Sequence, residues 1–198
     1  MQCWSESDKT ICELETQQKI IIRDVCIDDL PRLRLFNCGN DSMNAYIHRE
    51  ALLNHTLGEG ITRVVLDKNE SDIIGYFTLK CTSVRVEDPN ISDEAREIPS
   101  IEISRLAVCE SWQNGKNGFH LGTSLVGYII STIQEEIASK VGCRYIIIHA
   151  VKEKVKWYQR DFAFDFITDD TPDEYDTVSM FLDITDFEAY NYICDLYR

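Results

Sequence analysis

The feature that most constrains this chain is a strand, a glycine-bearing loop and a helix laid end to end between residues 101 and 141. Ile101-Glu102-Ile103-Ser104-Arg105-Leu106-Ala107-Val108 has the branched and apolar side chains of a buried strand. Leu121, Leu125, Ile129, Ile133, Ile137 and Val141 then recur every four residues, which predicts one apolar face of a helix over 121–141. Between them lies Gln113-Asn114-Gly115-Lys116-Asn117-Gly118-Phe119-His120-Leu121-Gly122-Thr123. A helix start presents N–H groups with no partner inside the helix and a partial positive charge. Glycines let such a backbone come close to a ligand. The combination predicts an anion cradle suited to a pyrophosphate. The loop fits neither GxxxxGK[ST] nor GxGxxG, so it is neither a Walker loop nor a dinucleotide loop. The bland alternative is a flexible surface turn.

The remaining chain alternates between the two regular structures. Strands are expected near 19–25, 61–66, 73–81, 144–150, 162–167 and 177–184. A helix starts at Asp28-Asp29-Leu30-Pro31, and a second runs from Asp41-Ser42 to about residue 57, ended by Gly58. A short helix covers 152–160, and 85–99 is expected as a charged loop. Strands interleaved with helices give an α/β (α+β) domain. Residues 1–18 are expected as a loose N-terminal arm, and 185–198 as an acidic C-terminal helix or tail.

Charge and cysteine usage narrow the function classes. The net charge of −14 disfavours phosphate backbones. After residue 160 there are eleven acids against one base, a net of −10, leaving −4 for the first 160 residues. Such a surface suits a cationic substrate or partner, or is simply a solvated face. The eight cysteines include no pair within four positions, and the four histidines form no HxxxH pair, so no metal is expected. The cysteines read as small buried hydrophobes. His149, ending a central strand, reads as a core histidine. No apolar run approaches the ~18 residues of a membrane span, and the first residues lack the features of a signal peptide. The expected location is cytoplasmic.

Arg105-Leu106-Ala107-Val108, the glycine loop and its helix, then Tyr145-Ile146-Ile147-Ile148-His149-Ala150 and Lys156-Trp157-Tyr158-Gln159-Arg160, resemble the GNAT superfamily of acetyl-CoA-dependent N-acetyltransferases. The resemblance covers residues 19–184 in element order. It implies a mixed, twisted sheet of six or seven strands with helices on both faces. It implies acetyl-CoA as co-substrate, with the loop on the pyrophosphate and the preceding strand's backbone on the pantetheine arm. The cofactor-binding residues so implied are Leu106, Ala107, Val108, Gln113, Asn114, Gly115, Lys116, Gly118, Leu121, Gly122 and Thr123. Phe36-Asn37-Cys38-Gly39-Asn40-Asp41-Ser42-Met43-Asn44-Ala45-Tyr46-Ile47, with Ala51 after it, resembles the first helical region of the GNAT toxins of toxin–antitoxin pairs. Three departures stand out. The loop is about four residues longer than the family's Q/R-x-x-G-x-G/A, Ala163-Phe164 stands, one residue late, where the family has Gly-Phe, and the net charge of −14 departs from the basic surface that a tRNA-modifying toxin needs.

Amine acetylation needs a neutral amine, a polarised carbonyl and a proton for the departing thiolate. Tyr158, at the family's tyrosine position, is the expected general acid, since a phenol of pKa ~10 can donate to a thiolate of similar basicity. Its alternative role is packing, because Val155, Tyr158 and Phe162 share one helical face. Glu102 is the candidate base. A structural pairing for it, or a water chain in its place, stays open. A backbone amide of Leu106, Ala107 or Val108 would serve the oxyanion. The expectation is an N-acetyltransferase acting by direct attack on a primary amine, with a cationic small molecule or peptide as acceptor. The alternative is a toxin that acetylates aminoacyl-tRNA and is held by an antitoxin protein, tRNA being the one nucleic acid considered. A noncatalytic binding module is the third class, and a homodimer stays open.

Overall fold

A computed structural model describes residues 10–13, 19–69, 71–86, 95–116, 118–168, 176–186 and 188. The chain falls into two compact units, Met1–Lys80 with Ile103–Ile129, and Cys81–Glu102 with Ile130–Arg198.

The first unit has the strand order β1-β2-β3-β4-β5. It holds β1 (Thr10–Glu13), β2 (Lys19–Asp24), β3 (Ile61–Leu66), the start of β4 (Ile73–Val86) and the end of β5 (Arg96–Val108). β1, β2, β3 and β4 pair antiparallel in turn, with Ile22 opposite Thr10 and Val65, and Val64 opposite Tyr76. The expected loose arm therefore includes a strand, Thr10–Glu13, which no alternation of its own side chains announces. Three short helices follow β2: α1 (Leu30–Leu33), α2 (Asp41–Arg49) and α3 (Ala51–Leu57). Asn40, rather than Asp41 or Ser42, caps α2, its Oδ1 accepting from the Met43 amide at 3.0 Å. The expected single helix to residue 57 breaks at Glu50, and α3 stops at Gly58 in the left-handed conformation, φ +73°. Leu33, Phe36, Tyr46, Ile47, Ala51, Val64, Tyr76 and Ala107 form one core cluster.

Asp29 is fully buried in this unit. Arg23 grips both its oxygens at 2.7 Å, Arg32 adds a contact at 2.8 Å, and the Cys26 amide donates at 2.9 Å. Burial alone would raise its pKa, but these donors overcome that and hold the carboxyl below its usual range.

The second unit has the order β4-β5-β6-β8-β7, using the remaining lengths of β4 and β5. β6 is Tyr145–Val151, β7 Asp165–Phe166 and β8 Thr177–Asp183. β6 and β8 pair antiparallel with Ile148 opposite Met180. Ile98, Tyr145 and Ile147 form a core cluster flanked by Phe181. The helix α5 (Val155–Phe162) follows a 3-10 turn at Lys152–Lys154. It runs further than expected, so the strand expected over 162–167 shrinks to Asp165–Phe166. β4 and β5 likewise extend into the expected charged loop 85–99, of which residues 87–94 lie outside the described residues.

The four-residue stripe predicts α4 (Leu121–Thr132) well at first. Leu121, Leu125, Ile129 and Ile133 are all buried. The helix then widens into a π-turn, Ile133–Ile137, where the Ala138 amide reaches back to Ile133 O at 2.8 Å. The helix expected through residue 141 ends there, and Val141, the last of the stripe, lies in a bend beyond it and is 65% exposed. The expected α/β class holds, while the acidic C-terminal helix or tail falls, but for residues 185, 186 and 188, outside the described residues. Among the described residues no helix is long and apolar enough to cross a membrane, and no three His, Cys, Asp or Glu side chains gather into a group able to hold a metal ion.

Candidate functional site

In the first unit, β5 delivers the chain to a 3-10 turn, Glu110–Gly115, and then to the start of α4. Ala107 is buried in the core, with Leu106 and Val108 half-buried beside it. β4 lies close here: a Cβ on Gly75 would come within 3.0 Å of the Ala107 carbonyl oxygen. The Cys109 amide donates to Ile74 O at 2.9 Å, ending the strand in fixed register.

The loop is shaped by main-chain conformation. Asn114, Gly115 and Gly118 take φ of +57°, +69° and +69°. Gly115 is favoured on two counts, because a Cβ there would also crowd the His120 ring at 3.0 Å. Gln113 turns inward, its Nε2 donating to Cys38 O at 2.9 Å and to Val108 O at 2.8 Å. It braces the loop against the end of β5 and the segment before α2. The Lys116 ammonium donates to Glu110 O at 2.8 Å. Phe119 is buried and anchors the far side of the loop. Asn117 lies outside the described residues.

An acyl-coenzyme A diphosphate needs N–H donors and an open backbone. The first-turn amides of α4, including Leu121, Gly122 and Thr123, have no acceptor inside their own helix. A Cβ on Gly122 would meet only Val108 Cγ2, at 3.9 Å, and one on Gly118 would meet nothing within 4 Å. The chain is therefore open where the diphosphate would lie, and these residues fit it.

Glu102 and Tyr158 belong to the second unit. Glu102 is buried on β5 at 8% exposure. Tyr158 is half-buried on α5, its ring 4.7 Å from Trp157 and 5.6 Å from Phe164 in an edge contact. Burial pushes its phenol up to about 12. The family's Gly-Phe finds its physical counterpart here. Ala163 ends α5 at φ +57°, the conformation that favours glycine, and Phe164 is buried against Tyr158. His149 is exposed, not in the core, and its Nδ1 lies 3.0 Å from Ser179 Oγ.

One feature of the second unit has no counterpart among the expectations above. Lys152, Lys154 and Lys156 are all exposed where α5 begins, with Glu153 the lone acid among them. Their signal is a local run of positive charge that the whole-chain balance hides.

No family model matches the chain. A curated relative, the tRNA-acetylating toxin of Mycobacterium tuberculosis (strain ATCC 25618 / H37Rv), is 27% identical over 145 residues, covering 70% of this chain and 81% of the relative. Among solved structures, AtaT complexed with acetyl-methionyl-tRNAfMet matches with a TM-score of 0.68 at 18% identity, over 86% of this chain and 98% of its own. A mutant AtaT bound to the C-terminus of the antitoxin AtaR and acetyl-CoA matches with a TM-score of 0.64 at 20% identity, over 86% and 97%. The expected acceptor, a cationic small molecule or peptide, is corrected by these findings: the curated relative acetylates tRNA, and AtaT is seen with an acetylated aminoacyl-tRNA.

Proposed function

We propose that this chain, which has the GNAT fold and resembles the toxin branch of that superfamily in sequence, acetylates the amino group of an aminoacyl-tRNA and is restrained by an antitoxin protein. The sequence likeness to a tRNA-acetylating toxin supports the reading. The observation in this chain that carries it is the run of exposed lysines on the 3-10 turn before α5 and on its first turn. From residue 152 to 160 there are four bases, Lys152, Lys154, Lys156 and Arg160, against one acid, Glu153. Arg160 is paired with Asp161 at 2.6 Å and the Lys154 ammonium lies 5.9 Å from the Trp157 ring centroid, while all three lysines are exposed. They lie on the turn and helix that hold Tyr158, so polyanion attraction is local and survives a net charge of −14. The acidic stretch after residue 160 suits a basic antitoxin segment instead.

Acetyl-CoA, when bound, supplies an activated thioester. The open backbone at Gly118 and Gly122 and the first-turn amides of α4 hold its diphosphate. The main chain of Leu106, Ala107 and Val108 pairs with its pantetheine arm, and an amide there polarises the thioester carbonyl. Tyr158 is the general acid. A phenol pushed up to about 12 keeps its proton at neutral pH and can pass it to the departing sulfur. Glu102, or water, takes the proton from the amine. With aminoacyl-tRNA and acetyl-CoA, Lys152→Glu/Lys156→Glu is expected to raise KM for the tRNA about tenfold and to flatten its salt dependence. Acetylation of a polyamine panel with aminoacyl-tRNA left inert would overturn the reading.

A further inference from the structure

Cys38 precedes the Asn40 cap of α2, and Cys109 follows Val108, the last residue of β5. The short stretches around them, both in the first unit, run side by side in opposite directions. The Glu110 amide donates to Asn37 O at 3.0 Å, and Asn37 Nδ2 donates to Glu110 Oε2 at 2.9 Å. On the other side, the single Nε2 of Gln113 donates to both Cys38 O and Val108 O, at 2.9 and 2.8 Å. Cys38 and Cys109 face each other between these contacts. Residues opposite one another in antiparallel stretches have Cα atoms about 4.5–5.5 Å apart. A disulfide spans Cα separations of about 4.4–6.8 Å. Both side chains also pack on the same core cluster, that of Phe36, Tyr46 and Tyr76. Burial pushes the Cys38 thiol up, and Cys109 adds to the rise, as a second ionisable group close by does. Both cysteines are free and half-buried, so a small solute can reach them. Their present sulfur contacts are long: Cys38 Sγ donates to Asn44 Oδ1 at 3.3 Å and to Asn40 O at 3.8 Å, and Cys109 Sγ lies 3.4 Å from Ser111 Oγ. Thiols make weak hydrogen bonds, so little holds either sulfur in its present rotamer.

We propose that Cys38 and Cys109 form a peroxide-responsive thiol pair that closes into a reversible disulfide, stapling the segment before α2 to the end of β5. Hydrogen peroxide is the oxidant. It converts one thiol to a sulfenic acid with release of a water, and the second sulfur displaces the hydroxyl as another water. The peroxide O–O bond breaks, the S–S bond forms, and the two thiols give up two electrons and two protons. A thiol reductant reverses the step by exchange. The bond makes covalent what the Gln113 side chain holds by hydrogen bonds. The ring it closes takes in α2, α3, β3 and β4, which restricts the unfolded chain and stabilises the fold. Neither sulfur belongs to the groups assigned to the cofactor or to proton transfer, so coenzyme A binding is kept.

The test treats the reduced full chain with a small excess of hydrogen peroxide and digests it with trypsin without reductant. Cleavage after Arg34, Arg49, Arg105 and Lys116 frees peptides 35–49 and 106–116, each with one cysteine. Mass spectrometry should find these two peptides joined, and dithiothreitol should part them. The oxidised protein should melt about 5 °C higher than the reduced one. Cys38→Ser and Cys109→Ser should each lose the joined peptides and the rise in Tm. A coenzyme A thermal shift equal to that of the parent shows that each variant is folded. The link in the parent is read without any variant, and none of these measurements depends on which amine is acetylated. Peptides left unlinked in the peroxide-treated parent, or a rise in Tm that persists in folded Cys109→Ser, overturns the assignment.

Discussion

The two units present their chemistry by different means. In the first, the candidate cradle is main chain: left-handed residues at 114, 115 and 118, and the amides at the start of α4. In the second, the candidate groups are side chains, the phenol of Tyr158 and the ammonium groups of Lys152, Lys154 and Lys156. A backbone site depends on conformation and empty space. It tolerates many sequences but not a bulky or anionic side chain in its path. A side-chain site has the opposite sensitivity, because removing one atom deletes the function while leaving the fold in place.

The sharpest break of this contrast comes from Gly122→Glu. It places a side chain and a negative charge where the diphosphate would lie, and should abolish coenzyme A binding. The parent should gain about 2.7 kcal/mol at ligand a hundredfold above Kd, visible as a thermal shift. The variant should show none. Gly122→Ala should keep the shift, since its Cβ meets only Val108 Cγ2 at 3.9 Å. A full shift in Gly122→Glu would remove the cradle from this end of α4.

Tyr158→Phe tests the other side. It deletes one oxygen from an aromatic cluster that Trp157, Phe162 and Phe164 still hold together. Coenzyme A binding should stay, and turnover should fall about 10²-fold. The phenol is raised to about 12, so its protonated, donating form persists throughout the neutral and mildly alkaline range. The kcat–pH profile of the parent should therefore show no falling limb from this group below about pH 11. An unchanged kcat in the variant would return Tyr158 to packing.

The smallest effect belongs to Ala163→Gly. Ala163 holds φ +57° at the end of α5, where its Cβ is strained. Relief of that strain should outweigh the extra chain entropy of glycine by about 0.5 kcal/mol, a rise in Tm of about 1–2 °C. A fall in Tm would show that the Cβ contributes packing there.

Sequence period and loop composition were enough to place the last eight residues of β5, the glycine loop and the first three turns of α4, because each rests on local chemistry. The π-turn was invisible, since the apolar spacing through Ile137 and Val141 continues unchanged across it. Gln113 was legible as a loop residue but not as a brace, because its partners, Cys38 O and Val108 O, are set by tertiary placement. The lysine run was present in the sequence and was lost in the whole-chain sum. A charge total averages over distances longer than the Debye length, ~8 Å in physiological salt, whereas an RNA backbone responds to what lies within it.

The Gln113 clasp also bears on how such a loop changes over evolutionary time. One amide group ties the loop's entrance to Cys38 and Val108, while buried Phe119 fixes its exit just before α4. Residues gained or lost between these two anchors lengthen a closed span without moving either end. Even a doubling of such a span adds only about 0.6 kcal/mol of closure entropy. A lineage can thus insert several residues beside the candidate cradle at little thermodynamic penalty. Loss of Gln113 would be the costly step, because the same insertion would then displace the start of the helix.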